Sequence, residues 1–191
     1  MSLPTADDAR APLCDALAQY AARHPERRDC ADAVRRFVRS TPDCFLRRNA
    51  AGHITASALL LNPAGDKALL TLHRKLGRWL QLGGHADGEP CPLRTALREA
   101  EEESGITGCQ PLSRNIFDVD IHDIPARPGE PAHKHYDIRY LLQAPHEGFR
   151  SSAESLALAW WDIDTLCRRS ELFDEAVRRL ACLWQARSGA S

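Results

Sequence analysis

Four glutamates stand within five residues of the run REAEEES: Glu99, Glu101, Glu102 and Glu103. On a helix, like charges three or four residues apart are destabilising by about 0.2–0.5 kcal/mol per pair, so something must compensate for them. At about 100° per residue, Glu99, Glu102 and Glu103 cluster, while Glu101 points away towards solvent. Three converging carboxylates suit a hard divalent cation such as Mg²⁺ or Mn²⁺, whose charge would reverse the repulsion. The lack of a histidine or cysteine beside them argues against zinc.

A helix has to position these glutamates, and the surrounding sequence predicts one. It begins near Pro90–Pro92, because proline is tolerated in a first turn, and it ends at Gly105 as a left-handed cap. Four apolar residues form a single stripe on this helix: Leu93, Ala96, Leu97 and Ala100. Most acidic runs are solvated helix faces. These carboxylates, however, border the apolar stripe and have no interleaved cations, which favours a metal site.

The stretch GGHADGEPCPLRTALREAEEESGI, from Gly83 to Ile106, resembles the Nudix box, whose second half reads Arg-Glu-apolar-x-Glu-Glu-x-Gly-apolar. The part REAEEESGI fits that half at every fixed position. The first half departs from the family pattern, because eight residues rather than seven separate Glu89 from Arg98. Leu82 also stands where the family often has proline. With the order of strands around it, the resemblance extends over roughly residues 45–170.

The resemblance implies a set of metal ligands for Mg²⁺ or Mn²⁺. By position in the motif, Glu99, Glu102 and Glu103 match the metal ligands of the family. The assignment is strongest for Glu99 and Glu103. The backbone carbonyl of Gly84 would be a further ligand. Gly83 and Gly84 are expected in a glycine-rich loop, where the absence of a side chain lets the backbone approach metal and phosphate closely. The alternative is that these glycines simply make a turn.

The resemblance also implies an activity, the hydrolysis of a diphosphate linkage in a nucleoside diphosphate derivative or a related organic pyrophosphate. Metal ions neutralise the charge of such a group and lower the pKa of a bound water. Glu102 is a candidate base for that water, although the base can also come from a later segment, for which Glu154 is a candidate. Arg98 and Glu89 resemble the pair that braces the loop against the helix, and an ordinary surface ion pair is the alternative.

Basic residues just ahead of the box are candidates for substrate binding. The run HRKLGRW places Arg74, Lys75 and Arg78 where they could contact the leaving phosphate, although basic loops are most often merely solvated. Trp79 could stack on the nucleobase of a substrate. An apolar anchor between strand and loop is the more expected role for this tryptophan.

Two later strands carry polar residues on one face. In HKHYDIRYLL, the residues His133, His135, Asp137 and Arg139 alternate with apolar ones, and DVDIH shows the same alternation. One interpretation places His135, Asp137 and Arg139 in a cleft as substrate contacts, further ligands or a base. His133 is a further candidate for the same cleft. The other interpretation is the solvated face of an antiparallel strand pair.

The order of periodic segments predicts an α+β fold with a mixed or antiparallel sheet. Helical spacing from residue 8 to about 40 predicts an N-terminal helical hairpin. Short apolar runs predict strands at 53–62, 67–73, 114–122, 135–142 and 156–163, and two helices follow near 164–169 and 173–185. The resemblance implies a Nudix-type α/β/α sandwich. We therefore expect a helical extension over residues 1–44 and a Nudix domain over residues 45–188.

The composition restricts the class of protein. A net charge of -1 gives no reason to expect binding to nucleic acid or to a membrane surface. The seven cysteines include no Cys-x-x-Cys pair, which is typical of reduced thiols. The longest apolar run, ASALLL, is too short to cross a bilayer. We expect a cytoplasmic protein whose partner is a small-molecule diphosphate. The helical hairpin could cover the cleft or form a homodimer interface, and the alternative is simple packing on the sheet.

Two alternatives to a hydrolase remain open from the sequence. The first is an enzyme resembling isopentenyl-diphosphate isomerase, which uses a catalytic cysteine and a glutamate. No cysteine lies in a corresponding strand upstream of the box, and Cys91 in the first turn of the box helix is a poor substitute. The second is a non-catalytic nucleotide-binding Nudix module. Such a module usually loses box glutamates, and here all of them are present.

Overall fold

The computed structural model describes residues 6–74, 77–129, 131–150, 155–169 and 173–188. The helices are α1 (Ala6–Arg23), α2 (Arg28–Ser40), α3 (Pro92–Ser104), α4 (Ile163–Arg168) and α5 (Glu175–Ser188), with a 3₁₀ turn at Pro25–Arg27. The strands are β1 (Gly52–Leu61), β2 (Lys67–His73), β3 (Trp79–His85), β4 (Gln110–Pro111), β5 (Asp118–Ile124), β6 (His133–Gln143) and β7 (Ser155–Asp162). In the described part of the chain, no helix is long and apolar enough to span a membrane.

The strands form one seven-stranded sheet in the order β4-β6-β1-β3-β2-β7, and β5 also pairs with β6. The pairs β1–β2, β2–β3, β2–β7, β4–β6 and β5–β6 are antiparallel. The predicted α+β class and the predicted N-terminal helical hairpin are confirmed. The chain divides into two compact units. Unit 1 comprises residues 1–56, 84–95 and 114–140, and unit 2 comprises residues 57–83, 96–113 and 141–191.

The helical hairpin belongs to unit 1. Its two helices bury apolar side chains, including Leu17 on α1 and Val34 on α2. The buried Arg10 side chain also joins the helices, since its Nη1 donates to the carbonyl oxygens of Val38 at 3.0 Å and Arg39 at 2.9 Å. These carbonyls belong to the last turn of α2, where helical partners are missing. The arginine therefore fastens the end of one helix to the start of the other.

The hairpin is attached to β5 and β6 within the same unit. Phe37 stacks on Tyr136 with ring centroids 3.8 Å apart, and the Tyr20 hydroxyl donates to Asp118 Oδ1 at 3.2 Å. Arg27 donates to the backbone oxygen of Val119. The boundary at residue 44 stays a prediction, and the hairpin residues share a compact unit with residues 114–140.

Arg139 lies at the centre of the polar face that β5 and β6 share, and its side chain is fully buried. Its Nε donates to Asp137 Oδ2 at 2.8 Å, its Nη1 to Asp118 Oδ2 at 3.1 Å and its Nη2 to Asp120 Oδ2 at 2.8 Å. Thr55 Oγ1 donates to the second oxygen of Asp137 at 3.0 Å. The interpretation of this face as solvated is therefore wrong, because these polar groups satisfy one another in the interior of unit 1.

In unit 2, the strands β1 and β2 form an antiparallel hairpin, with Leu60 opposite Leu69. The Asn62 side chain organises its turn, since Oδ1 accepts from the backbone N–H groups of Asp66 and Lys67, each at 3.1 Å. From α5, Trp184 Nε1 donates to the carbonyl oxygen of Gly65 at 2.8 Å. This bond fixes the last helix against the hairpin turn.

The expectation of a glycine-rich loop at the start of the box is wrong. Gly83 and Gly84 lie inside β3, and Gly83 is extended with φ 159°. The backbone continues to pair beyond them, because Ala86 N donates to Ile54 O at 3.2 Å. The loop itself follows β3 and contains positive φ angles at Asp87 and Gly88.

Replacing Arg139 with methionine should lower the free energy of unfolding by about 3–5 kcal/mol, because Asp118 and Asp137 would stay buried without their cation. Urea denaturation followed by circular dichroism measures the loss. The control is Lys134→Met, which removes an exposed ion pair with Asp123 and should cost less than about 1 kcal/mol. Equal losses in the two variants would contradict a structural role for the buried network.

Candidate functional site

Helix α3 positions the box glutamates as predicted, from Pro92 to Ser104. It ends at Gly105, whose φ of 67° is the left-handed conformation that favours glycine, and whose N–H donates to Glu101 O at 2.8 Å. Ala96 and Ala100 of the predicted stripe are fully buried. The stripe therefore anchors the helix and holds the acidic edge in place.

Glu99 and Glu102 converge on one point. Arg98 Nη1 lies 2.9 Å from Glu99 Oε1 and 3.0 Å from Glu102 Oε2. The Glu99 side chain is 14% exposed, whereas that of Glu102 is 60% exposed. Two carboxylates that reach a single cationic nitrogen can also reach a single metal ion, and oxygen donors of this kind fit Mg²⁺ or Mn²⁺.

The other two glutamates bind backbone N–H groups. Glu103 Oε1 accepts from Gly83 N at 3.0 Å, which ties the last turn of α3 to β3. Glu101 Oε1 accepts from Gly108 N at 2.8 Å, beyond the end of the helix. Glu101 is thus directed away from the other three, as predicted. The protein's own donors offset part of the repulsion for which the sequence alone suggested a metal.

Glu89 stabilises the start of α3. Its Oε1 accepts from Cys91 N at 3.0 Å, and its Oε2 lies 3.3 Å from Arg94 Nε. The proposed bracing pair of Glu89 with Arg98 stays a prediction. The carbonyl of Gly84 as a metal ligand also stays a prediction. In the structure, Gly84 lies inside β3.

The basic residues ahead of the box lie between β2 and β3. Arg74 and Arg78 are both exposed, and Arg78 Nη1 lies 3.5 Å from Asp174 Oδ2. Lys75 and the candidate base Glu154 lie outside the described residues. Exposed guanidinium groups can bind phosphate oxygens in pairs of hydrogen bonds, so both arginines stay candidates for substrate contact.

Trp79 packs within unit 2 as an anchor. Its ring meets Trp161 edge-on at 5.4 Å, and Trp161 meets Phe173 in the same way at 5.0 Å. These distances are typical of edge-to-face aromatic pairs. The three rings favour the anchor interpretation over base stacking.

Arg139 and Asp137, two of the predicted substrate contacts, lie in the buried network of unit 1. The third, His135, belongs to a different group. Five histidines of unit 1 have neighbouring rings: His53, His85, His122, His133 and His135. Burial, together with the neighbouring imidazoles, lowers the pKa of His135 to about 3, so this ring is neutral at physiological pH.

Sequence reasoning identified the histidines of β5 and β6 but missed His53 and His85. His85 stands directly after the glycine pair of the box, and His53 is the second residue of β1. Position next to Gly84 was the available signal for His85. Nothing in the local sequence of His53 indicates that its ring joins the others.

A family comparison decides the assignment of the chain. The model of the NUDIX domain matches residues 52–181, which is most of the sequence. The chain belongs to the Nudix family. The matched segment contains β1 to β7 and the whole of α3, so the glutamates belong to a Nudix box in a Nudix domain.

One curated relative supports the family assignment. The "Probable DHNTP pyrophosphohydrolase" of Lactococcus lactis subsp. cremoris (strain MG1363) is 35% identical over 92 residues, which are 47% of this chain and 53% of that protein. The match therefore spans about half the length of the relative.

Solved structures share the fold. A NUDIX-family hydrolase from Clostridium perfringens has a TM-score of 0.57 at 23% identity, with 73% of this chain and 98% of that chain covered. An Ap4A hydrolase from C. elegans, in a binary complex, has a TM-score of 0.53 at 17% identity, covering 72% and 98%. The E. coli dihydroneopterin triphosphate pyrophosphohydrolase has a TM-score of 0.51 at 17% identity, covering 67% and 91%.

If Arg98 supplies the charge that a metal would otherwise supply, Arg98→Met should lower the free energy of unfolding of the metal-depleted protein. Added Mn²⁺ should then restore that stability. We expect a loss of about 0.5–1 kcal/mol, since both ion pairs are partly exposed. Thermal unfolding with and without Mn²⁺ measures both effects. Arg94→Met, on the same helix but paired with Glu89, should show no such recovery. Identical Mn²⁺ responses in the two variants would argue against metal binding at this edge.

Proposed function

We propose that this Nudix protein is a pyrophosphohydrolase that cleaves a diphosphate linkage in a nucleoside diphosphate derivative or a related organic pyrophosphate. The proposal depends above all on one observation. The Glu99 and Glu102 carboxylates converge on a single cationic nitrogen, on the same helix edge as Glu103. Such an oxygen-rich edge is suited to a hard divalent cation that also binds phosphate.

In this proposal, Glu99, Glu102 and Glu103 hold Mg²⁺ or Mn²⁺. When bound, the metal neutralises the diphosphate and lowers the pKa of a coordinated water. Before the metal binds, Arg98 keeps the Glu99 and Glu102 carboxylates oriented towards each other. The N–H of Gly83 holds Glu103 in one rotamer, so that its second oxygen has a fixed direction.

Glu102 is the candidate base. Its side chain is 60% exposed, so water can reach its carboxylate, whereas the Glu99 side chain is largely covered. A general base has to lie within hydrogen-bond reach of the proton that it removes, either directly or through one water. Among the three glutamates, Glu102 meets this need for access, and Glu89 supports the arrangement by stabilising the first turn of α3.

Arg74 and Arg78 are the proposed contacts for the leaving phosphate, and Lys75 belongs to the same basic run. The curated relative carries a name that refers to DHNTP, an organic triphosphate. We therefore infer that this chain acts on a small organic triphosphate or diphosphate, with dihydroneopterin triphosphate first among the compounds to be tested. Nucleotide sugars, dinucleoside polyphosphates and nucleoside triphosphates complete the panel.

We expect turnover of at least one panel compound with Mg²⁺ or Mn²⁺ and none in excess chelator. Glu103→Gln should reduce turnover by roughly 100-fold or more, at the upper end of losses seen when metal sites are disturbed. The amide oxygen of glutamine can still accept from Gly83, so the fold should persist. Released phosphate or pyrophosphate is measured by chromatography.

The matched control for this experiment is Glu101→Gln. Glu101 lies on the same helix, but its carboxylate accepts from Gly108 rather than facing the other three. We expect turnover within about twofold of the unchanged protein, because surface changes of this kind have small effects. Full activity of the Glu103 variant, or turnover in excess chelator, would refute the proposed metal role.

A further inference from the structure

The proposed hydrolysis assigns no role to the histidine cluster of unit 1. The chain has eight histidines, and five of them lie ring to ring in this cluster, which comprises His53, His85, His122, His133 and His135. They come from four separate strands, β1, β3, β5 and β6. Only folding brings these residues together, so local sequence preference does not explain the grouping.

Three members of the cluster have the geometry of a ligand set. His53, His85 and His135 each offer a ring nitrogen, and these nitrogens all lie within 4.8 Å of one another. Ligands of a tetrahedral zinc, with Zn–N bonds of about 2.0–2.1 Å, are about 3.3 Å apart, so each ring would shift by less than about 1 Å. His53 is only 2% exposed, and the other two are half-buried. The set is therefore partly shielded from solvent.

Hydrogen bonds fix the tautomer of His135. His133 Nδ1 lies 2.9 Å from the carbonyl oxygen of Pro131, which can only accept, so this nitrogen carries the proton. In neutral His133 the Nε2 atom is then an acceptor, and it lies 3.2 Å from His135 Nε2. His135 Nε2 therefore donates, which leaves a lone pair on its Nδ1. Histidines that bind metals are commonly oriented in this way, by a hydrogen bond from the other ring nitrogen.

Arg47 competes with a cation for His85. Its Nη2 donates to His85 Nδ1 at 2.8 Å, and its Nε pairs with Asp87 Oδ1 at 3.0 Å. A cation at Nδ1 would displace this donor directly. A cation at Nε2 would require a proton on Nδ1, which also displaces the donor. Arg47 is exposed and can keep its pair with Asp87, so it can release the ring without being left buried and unpaired.

We propose that His53, His85 and His135 bind one transition-metal cation of the Zn²⁺ class through their imidazole nitrogens, with His133 orienting His135. Imidazole ligands select Zn²⁺, Cu²⁺, Ni²⁺ or Fe²⁺ rather than Mg²⁺. Three protein ligands leave a fourth position for water or an anion. This ligand set differs from the carboxylates of α3, and the proposal does not depend on the proposed hydrolysis.

Cobalt spectroscopy on this protein tests this proposal without an activity measurement. Co²⁺ with three imidazole ligands in a tetrahedral or five-coordinate site gives strong visible d–d bands, whereas octahedral Co²⁺ on carboxylates and water gives weak ones. We expect strong bands from the unchanged protein, and displacement of Co²⁺ by Zn²⁺ should remove them. His85→Ala and His135→Ala should abolish the bands and weaken zinc binding by about 100-fold or more.

Two controls separate this site from other metal sites. His146→Ala removes an exposed histidine outside the cluster, and Glu103→Gln alters the acidic edge of α3. Both variants should keep the bands. Weak bands in the unchanged protein, or bands lost in Glu103→Gln but kept in His85→Ala, would overturn the proposal. Circular dichroism establishes that each variant is folded.

A gain of affinity provides a test that does not depend on disruptive variants. Arg47→Met removes the donor that competes for His85 and should tighten zinc binding by about twofold to tenfold, which corresponds to one hydrogen bond. Arg48→Met removes an equal charge from the adjacent exposed residue and should have a smaller effect. If Arg47→Met leaves zinc affinity unchanged or weakens it, His85 is not a ligand and the proposal fails.

Discussion

Repulsion among the carboxylates of α3 is the constraint on which the proposed site depends. Glu99, Glu102 and Glu103 are held on one helix edge by a buried alanine stripe, so they cannot separate without moving the helix. Arg98 bridges the first two, and the N–H of Gly83 accommodates the third. These donors make the acidic edge tolerable without a metal. They also hold the carboxylate oxygens in a fixed geometry. Binding a cation to such a preorganised set loses less conformational entropy than binding it to a flexible set.

The two candidate metal sites of the chain differ in chemistry. The edge of α3 offers carboxylate oxygens that are partly exposed, which suits ions that keep several waters and bridge to phosphate. The histidine cluster offers nitrogens that are mostly shielded, and these suit ions with a preference for imidazole. The sequence argument against zinc considered only the glutamates of α3 and their immediate neighbours in the chain. It gave no information on residues that the sheet brings together from β1, β3 and β6.

The elements with strong local signals could be predicted from the sequence. Helical spacing, prolines and Gly105 set α3, and the apolar runs around Asn62 set the hairpin of β1 and β2. Period-two alternation correctly placed Asp137 and Arg139 on one face of β6. It could not tell which element covers that face, so the burial of Arg139 under the helical hairpin was missed. The extended glycines of β3 were missed because glycine accepts both turn and strand conformations. The meeting of His53 with His85 depends on strand pairing, which single-segment patterns do not contain.

The family assignment and the geometry of α3 together lead to one claim, that Glu99, Glu102 and Glu103 hold a divalent ion. The most direct measurement is anomalous diffraction from a crystal of this protein soaked in Mn²⁺. We predict a manganese peak between these three carboxylates, with Arg98 withdrawn from at least one of them. A crystal with manganese at the histidines alone, and with Arg98 still bridging Glu99 and Glu102, would contradict the claim.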